Sequence, residues 1–117
     1  MKEMILLDSN STNTVFCNGK YVNNFRNSKH ILHFNSDGGT VITKKICDVP
    51  HLGTHWYINE AITNIISLAD MTKNHQVTMD SDIEKSMILH LGKEKKVIFT
   101  QMDNWLYVRL SGKNKTT

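Results

Sequence analysis

Residues Ile31 to Ile46 read "ILHFNSDGGTVITKKI", and the reading of this stretch decides the fold. Two runs rich in β-branched and aromatic residues, Ile31 to Phe34 and Thr40 to Ile46, flank the segment "NSDGG". Asp37-Gly38-Gly39 is a strong turn signal, because glycine accepts the positive φ angles that tight hairpin turns require. The stretch therefore predicts a β-hairpin, and the same grammar extends in both directions along the chain.

Toward the N-terminus, Met4 to Leu7 is an unbroken apolar run that predicts a strand buried on both faces, and Thr14 to Cys17 is a second strand ended by the turn pair Asn18-Gly19. Toward the C-terminus, Gln76 to Met79, Ser86 to Leu91, Lys95 to Thr100 and Leu106 to Leu110 alternate with turn-forming segments and predict a meander. One stretch has a different period. "NEAITNIISLADM" sets Ile62, Ile65, Ile66 and Ala69 at helical spacing, with Asn59 as N-cap and Glu60 suited to the positive end of the helix dipole. Many short strands with one short helix predict a mainly β fold, a small closed or partly closed β-barrel, since closure removes edges that small β domains must otherwise protect. The domain is expected to span 1–110, followed by a disordered tail at 111–117.

The chain has 117 residues, enough for one core. It is 39% hydrophobic and 21% charged with one proline, a globular composition. A net charge of +3 with no run of five like charges gives no footprint for specific nucleic-acid binding; Lys93, Lys95 and Lys96 read as a solvated face. No apolar stretch approaches the roughly 18 to 20 residues that span a bilayer. Two cysteines make no disulfide framework, and Met1-Lys2-Glu3 leads directly into a strand instead of a signal peptide, so an intracellular, cytoplasmic setting is expected.

Asp8 is the first candidate for chemistry. It ends a buried strand and is followed by Ser9, in "ILLDSNST" from Ile5 to Thr12. Aspartic proteases present a carboxylate in this way, and hydrolysis needs two carboxylates sharing a proton, one activating water and one donating to the scissile carbonyl. A chain this short supplies one half, so such a site lies on the two-fold axis of a homodimer. The competing reading is that Asp8 opens an Asx-type turn through Asn10 and Ser11. Asp80, in "VTMDSD", reads as the start of a hairpin turn and not as a second carboxylate. Cys47, His51 and His55, with Cys17, are the only metal-ligand pattern, but Pro50 and Gly53 interrupt it and paired Cys-x-x-Cys ligands are absent, so no metal site is expected. Cys17 reads as a small buried hydrophobe. Trp56-Tyr57 and Trp105-Leu106-Tyr107 read as barrel core.

Several pieces in order, "LLDSNSTNTVFCN", the hairpin around "NSDGGT", "ICDVPHLGTHWYINEAITNIISLADM" and "VTMDSDIEKS" through "WLYV", resemble the protease region of copia-type LTR retrotransposon Pol polyproteins. The resemblance covers about Met4 to Val108. It implies a retropepsin-like aspartic endopeptidase, a β-barrel active as a homodimer that needs no cofactor and cuts its own Gag-Pol polyprotein. Asp8 then matches the catalytic aspartate and Ser9 the hydroxyl residue after it, with Asn10 and Ser11 completing the catalytic loop. Ile65, Ile66 and Ser67 match the segment that supports this loop, and Asp37, Gly38 and Gly39 match a flap by order along the chain. Asn10 departs from the pattern: active members carry glycine there, which lets the backbone pass close to the carboxylates in conformations costly to other residues. Such a chain looks like a fragment, a truncated reading frame or an excised domain of a longer polyprotein. The alternative is a catalytically inactive β-barrel that serves as a structural or interaction module.

Overall fold

The computed structural model describes residues 2–36, 39–80, 86–92, 94–101 and 107–110, and, within these, every side chain except those of Ser36, Asp80 and residues 107–110. The expected tail at 111–117 lies outside the described residues. Among the described residues ten strands follow one another: β1 (Met4–Asp8), β2 (Val15–Phe16), β3 (Asn23–Ser36), β4 (Gly39–Val49), β5 (Gly53–Tyr57), β6 (Asn64–Ser67), β7 (Gln76–Asp80), β8 (Ser86–His90), β9 (Lys96–Gln101) and β10 (Tyr107–Leu110). Among the described residues a single α-helix, α1 (Leu68–Met71), lies between β6 and β7, and a 3-10 turn at Gly19–Tyr21 is capped by the Asn18 side chain accepting from the Lys20 N–H.

The strands form one hydrogen-bonded sheet in the order β3-β4-β5-β2-β6-β1-β10-β9-β8-β7. The predicted hairpin is present and longer than its sequence signal, with Leu32 opposite Thr43 and Phe34 opposite Val41. The predicted meander is present as β7 to β10, antiparallel throughout. Closure is not observed. Among the described residues β3 and β7 are the two ends of the sheet and do not pair, so the architecture is an open, curled sheet and not a closed barrel.

The segment predicted as a helix is helical only in its last turn, Leu68–Met71, and Asn64–Ser67 before it is a strand. Ile65 and Ile66 lie in β6, which pairs in parallel with β1 through Leu6↔Ile65 and Leu7↔Ile66 and meets β2 on its other side. Helical turns begin only at Leu68, capped by Ser67 and not Asn59, and Ile62 is exposed. Two successive isoleucines are stiff at χ1 and suit a strand, and the slot between β1 and β2 overrides a spacing that alone favours a helix.

The core lies on both sides of the central strands. On one side Ile5, Leu7, Phe16, Ile66, Met71, Leu89 and Phe99 pack together, which folds the meander back over β1 and β6. On the other, Val15, Leu32 and Ile58 pack with Phe34, Val41, Trp56 and Ala61, joining the hairpin to β2 and to the chain after β5. Strand β1 is therefore fully buried at Ile5 and Leu7 and half-buried at Met4, Leu6 and Asp8, where both faces were expected to be buried. Asn64, fully buried beside these clusters, satisfies four backbone groups: its carbonyl accepts from the N–H groups of Cys17 (2.9 Å) and Asn18 (3.1 Å), and its amide donates to the carbonyls of Lys2 (2.7 Å) and Met4 (2.8 Å).

Candidate functional site

Strand β1 ends at Asp8 because the chain turns there. The N–H of Asn10 donates to Asp8 Oδ1 at 2.8 Å, an Asx turn that fixes the carboxylate at the mouth of the loop. Ser11 holds the next bend, its Oγ donating to the Asn13 carbonyl at 2.8 Å. The loop rests on the end of β6. In the parallel register Asp8 stands beside Ser67, whose Oγ donates to the Ser11 carbonyl at 2.7 Å, and the N–H of Ser67 donates to Thr14 Oγ1 at 3.0 Å. Ile66 is buried beneath in the main core. Residues Ile65, Ile66 and Ser67 thus lie next to the Asp8 loop, each with a different contact.

Asp8, Asn10 and Ser11 open onto a cavity of about 590 Å³. Its wall is made by Phe34, Asn35 and Val41 of the hairpin and by Ile58, Glu60, Ala61, Ile62, Thr63 and Ile65 along the β5–β6 connection. The hairpin and the loop that holds Asp8 therefore border the same cavity. Of the residues matched to a flap, Asp37 and Gly38 lie outside the described residues; Gly39 begins β4 opposite Ser36 with φ +114, a backbone conformation that favours glycine. Ser9 is exposed and is not part of the cavity wall.

Asn10 has no positive-φ backbone strain. Among the described residues the only non-glycine positions with positive φ are Asn24 and His51, so the loop here does not use the conformation that would demand glycine. Asn10 itself is part of the cavity wall.

The other candidates lie apart from this loop. Asp80 is at the end of β7, opposite Ser86, with three strands between β7 and β1. Cys47 and His55 are cross-strand neighbours, but the Cys47 thiol is buried and pushed up to about 11, first by burial and then by the nearby Asp48 carboxylate, which disfavours the thiolate a metal needs. His55 Nε2 faces the Leu52 carbonyl at 2.8 Å and its Nδ1 faces Asp70 Oδ2 at 3.6 Å, while His51 Nε2 meets Lys95 Nζ at 2.8 Å. Cys17 is buried, and burial raises its thiol as well. Among the described residues no three His, Cys, Asp or Glu side chains are grouped to hold a metal ion. Tyr57 is core, donating its hydroxyl to the Cys17 carbonyl at 3.1 Å, and Trp56 packs half-buried against the second cluster; Trp105 and Leu106 lie outside the described residues.

The sequence reading missed two residues here. Glu60, which its sequence context places at a helix terminus, lies in the turn before β6 and lines the cavity. Asn64 carried no local signal, because all four of its partners are distant in sequence or follow from the strand pairing. Among the described residues no helix is long and apolar enough to cross a membrane. No family model matches the chain, and no curated protein or solved structure matches it either.

Proposed function

We propose that the chain is the protease region of a copia-type Pol polyprotein, a retropepsin-like aspartic endopeptidase that works inside the cell as a homodimer on its own Gag-Pol polyprotein. One observation carries the reading: Asp8, at the C-terminal end of a central strand and held in its own turn, lines a largely apolar cavity together with residues of a long β-hairpin. A carboxylate held at the end of a strand, with space for a peptide above it, is what acid–base hydrolysis requires. In the dimer the two Asp8 carboxyls meet across the two-fold axis and hold one water. The ionised one takes a proton as the water oxygen attacks the scissile carbonyl carbon, while the protonated one donates to the carbonyl oxygen. The tetrahedral adduct then collapses: the amine leaves with a proton from the first carboxyl, the second carboxylate takes back a proton from an adduct hydroxyl as the C=O re-forms, and both groups return to their starting states.

A catalytically silent β-module is the second reading, and Asn10 favours it. It is part of the cavity wall with Asp8, at the position where active members of the resembled family carry glycine. Cleavage of a peptide spanning a polyprotein junction separates the two. Under the enzyme reading the dimeric wild type cuts it, Asp8→Asn loses the activity with unchanged circular dichroism and sedimentation, and Asn10→Gly cuts faster. A wild type that is dimeric and inert, with Asn10→Gly equally inert, removes the enzyme reading.

A further inference from the structure

The cavity beside Asp8 has a charge bias that peptide hydrolysis by itself does not need. Its wall is largely apolar, with Phe34 and Val41 on the hairpin side and Ile58 and Ile62 on the other. Among the described residues the charged ones in the wall are Asp8 and Glu60, and none of the described wall residues is Lys, Arg or His. The chain as a whole is basic, at +3, so the acidic wall is a local departure from the overall balance. Glu60 sits in a fixed bend: the Ala61 N–H donates to the Ile58 carbonyl at 3.2 Å, and Lys2 Nζ donates to the Asn59 carbonyl at 2.6 Å. That lysine directs its ammonium to the carbonyls of Asn59 and Cys17. The ion pairs among the described residues involve Asp48 and Asp70 and leave the Glu60 carboxylate to the solvent at the cavity rim.

An apolar wall ending at an unneutralised carboxylate matches one kind of side chain, a long methylene stem with a cationic head. Lysine and arginine bury the stem along apolar surface and keep the head at a polar rim. We propose that Glu60 is a specificity-determining residue, and that the cavity takes a peptide in which a Lys or Arg side chain lies beside an apolar one. The proposal rests on reading the cavity as a peptide site, and it names the substrate class that the site selects.

Binding tests it without requiring turnover. Two end-blocked octapeptides, identical and apolar except for one central Lys or Glu, are titrated into the 15N-labelled wild-type chain at low salt. The expected result is at least ten-fold tighter binding of the Lys peptide, with amide shifts at Ala61, Thr63 and Ile65. The same comparison on Glu60→Gln, an exposed and isosteric change, should bring the two affinities within about two-fold. Non-specific attraction to a chain of charge +3 favours the Glu peptide, so a Lys preference has to be local. Equal affinities, no binding of either peptide, or a preference that survives Glu60→Gln overturns the proposal. Tight, Glu60-dependent binding with no cleavage sinks the protease reading alone, whereas cleavage of both peptides with equal affinity sinks only the present one.

Discussion

Ser67 donates its hydroxyl to the carbonyl of Ser11 across 2.7 Å while accepting the Asp70 N–H at 3.0 Å, so one buried side chain both caps α1 and ties down the loop that carries Asp8. Ser67→Ala removes both bonds. The cost should be about 2 kcal/mol, combining a lost N-cap with a carbonyl left without its partner. Urea unfolding should show a lower midpoint at an unchanged slope, and the Ser11 amide resonance should broaden or shift. A midpoint equal to that of the wild type would mean that the loop is held from elsewhere.

Asn64 is the hinge of a different dependence. Its side chain saturates four backbone groups that belong to the N-terminal segment and to the end of β2. Asn64→Leu fills similar space but leaves those groups unpaired, and should cost roughly 3 to 5 kcal/mol. Asn59→Leu, five residues earlier and exposed, should stay within about 0.5 kcal/mol, as surface changes usually do. Comparable denaturation midpoints for the two variants would contradict the assignment.

Low pH should weaken the junction of β3, β4 and β5. The Asp48 carboxyl accepts from the Asn24 amide (2.8 Å), the Thr54 hydroxyl (2.8 Å) and the Arg26 guanidinium (3.0 Å). These bonds, the one from Asn24 foremost, lower it from an ordinary 3.8 to about 2. A carboxyl whose folded value lies below its unfolded one stabilises the fold above the unfolded value. That contribution fades as pH falls from about 4 and is gone below about 2. The wild type should therefore melt higher than Asp48→Asn at pH 6, with the gap narrowing toward pH 2. A gap that is constant across this range rules the linkage out.

Much of the fold was legible because it is encoded locally. The glycine pair after Asp37, the β-branched runs on either side and the four late strands could be read from periodicity and turn chemistry alone. Residues Ile62 to Ala69 misled for a physical reason. Their spacing fits a helix, but Ile65 and Ile66 complete a sheet whose neighbouring strands lie far away in sequence, and no local pattern records a vacant slot. Closure has no local signature either, since it depends on whether β3 and β7 meet. At the site, the Asx turn that Asp8 opens was legible in four residues, and it is present. The place of Glu60 in the cavity wall was not, because its sequence context places it at a helix terminus. Strand β5 was hidden in "HLGTHWY", where the histidines suggested ligands before they suggested a ladder.

Strand β3 is the longest in the sheet and stands at its edge, yet its pairing with β4 is broken twice, between Asn23 and Arg26 and between Asn27 and Leu32. Irregularities of this kind bend a strand and break up the straight row of free N–H and carbonyl groups that a foreign strand needs as a template. Arg26 and Lys29 add charge along the same edge. For a chain that carries an unclosed sheet, those two breaks act as a safeguard against fibril growth, and straightening the edge by shortening β3 at either break should increase amyloid-type assembly before it changes the stability of the monomer.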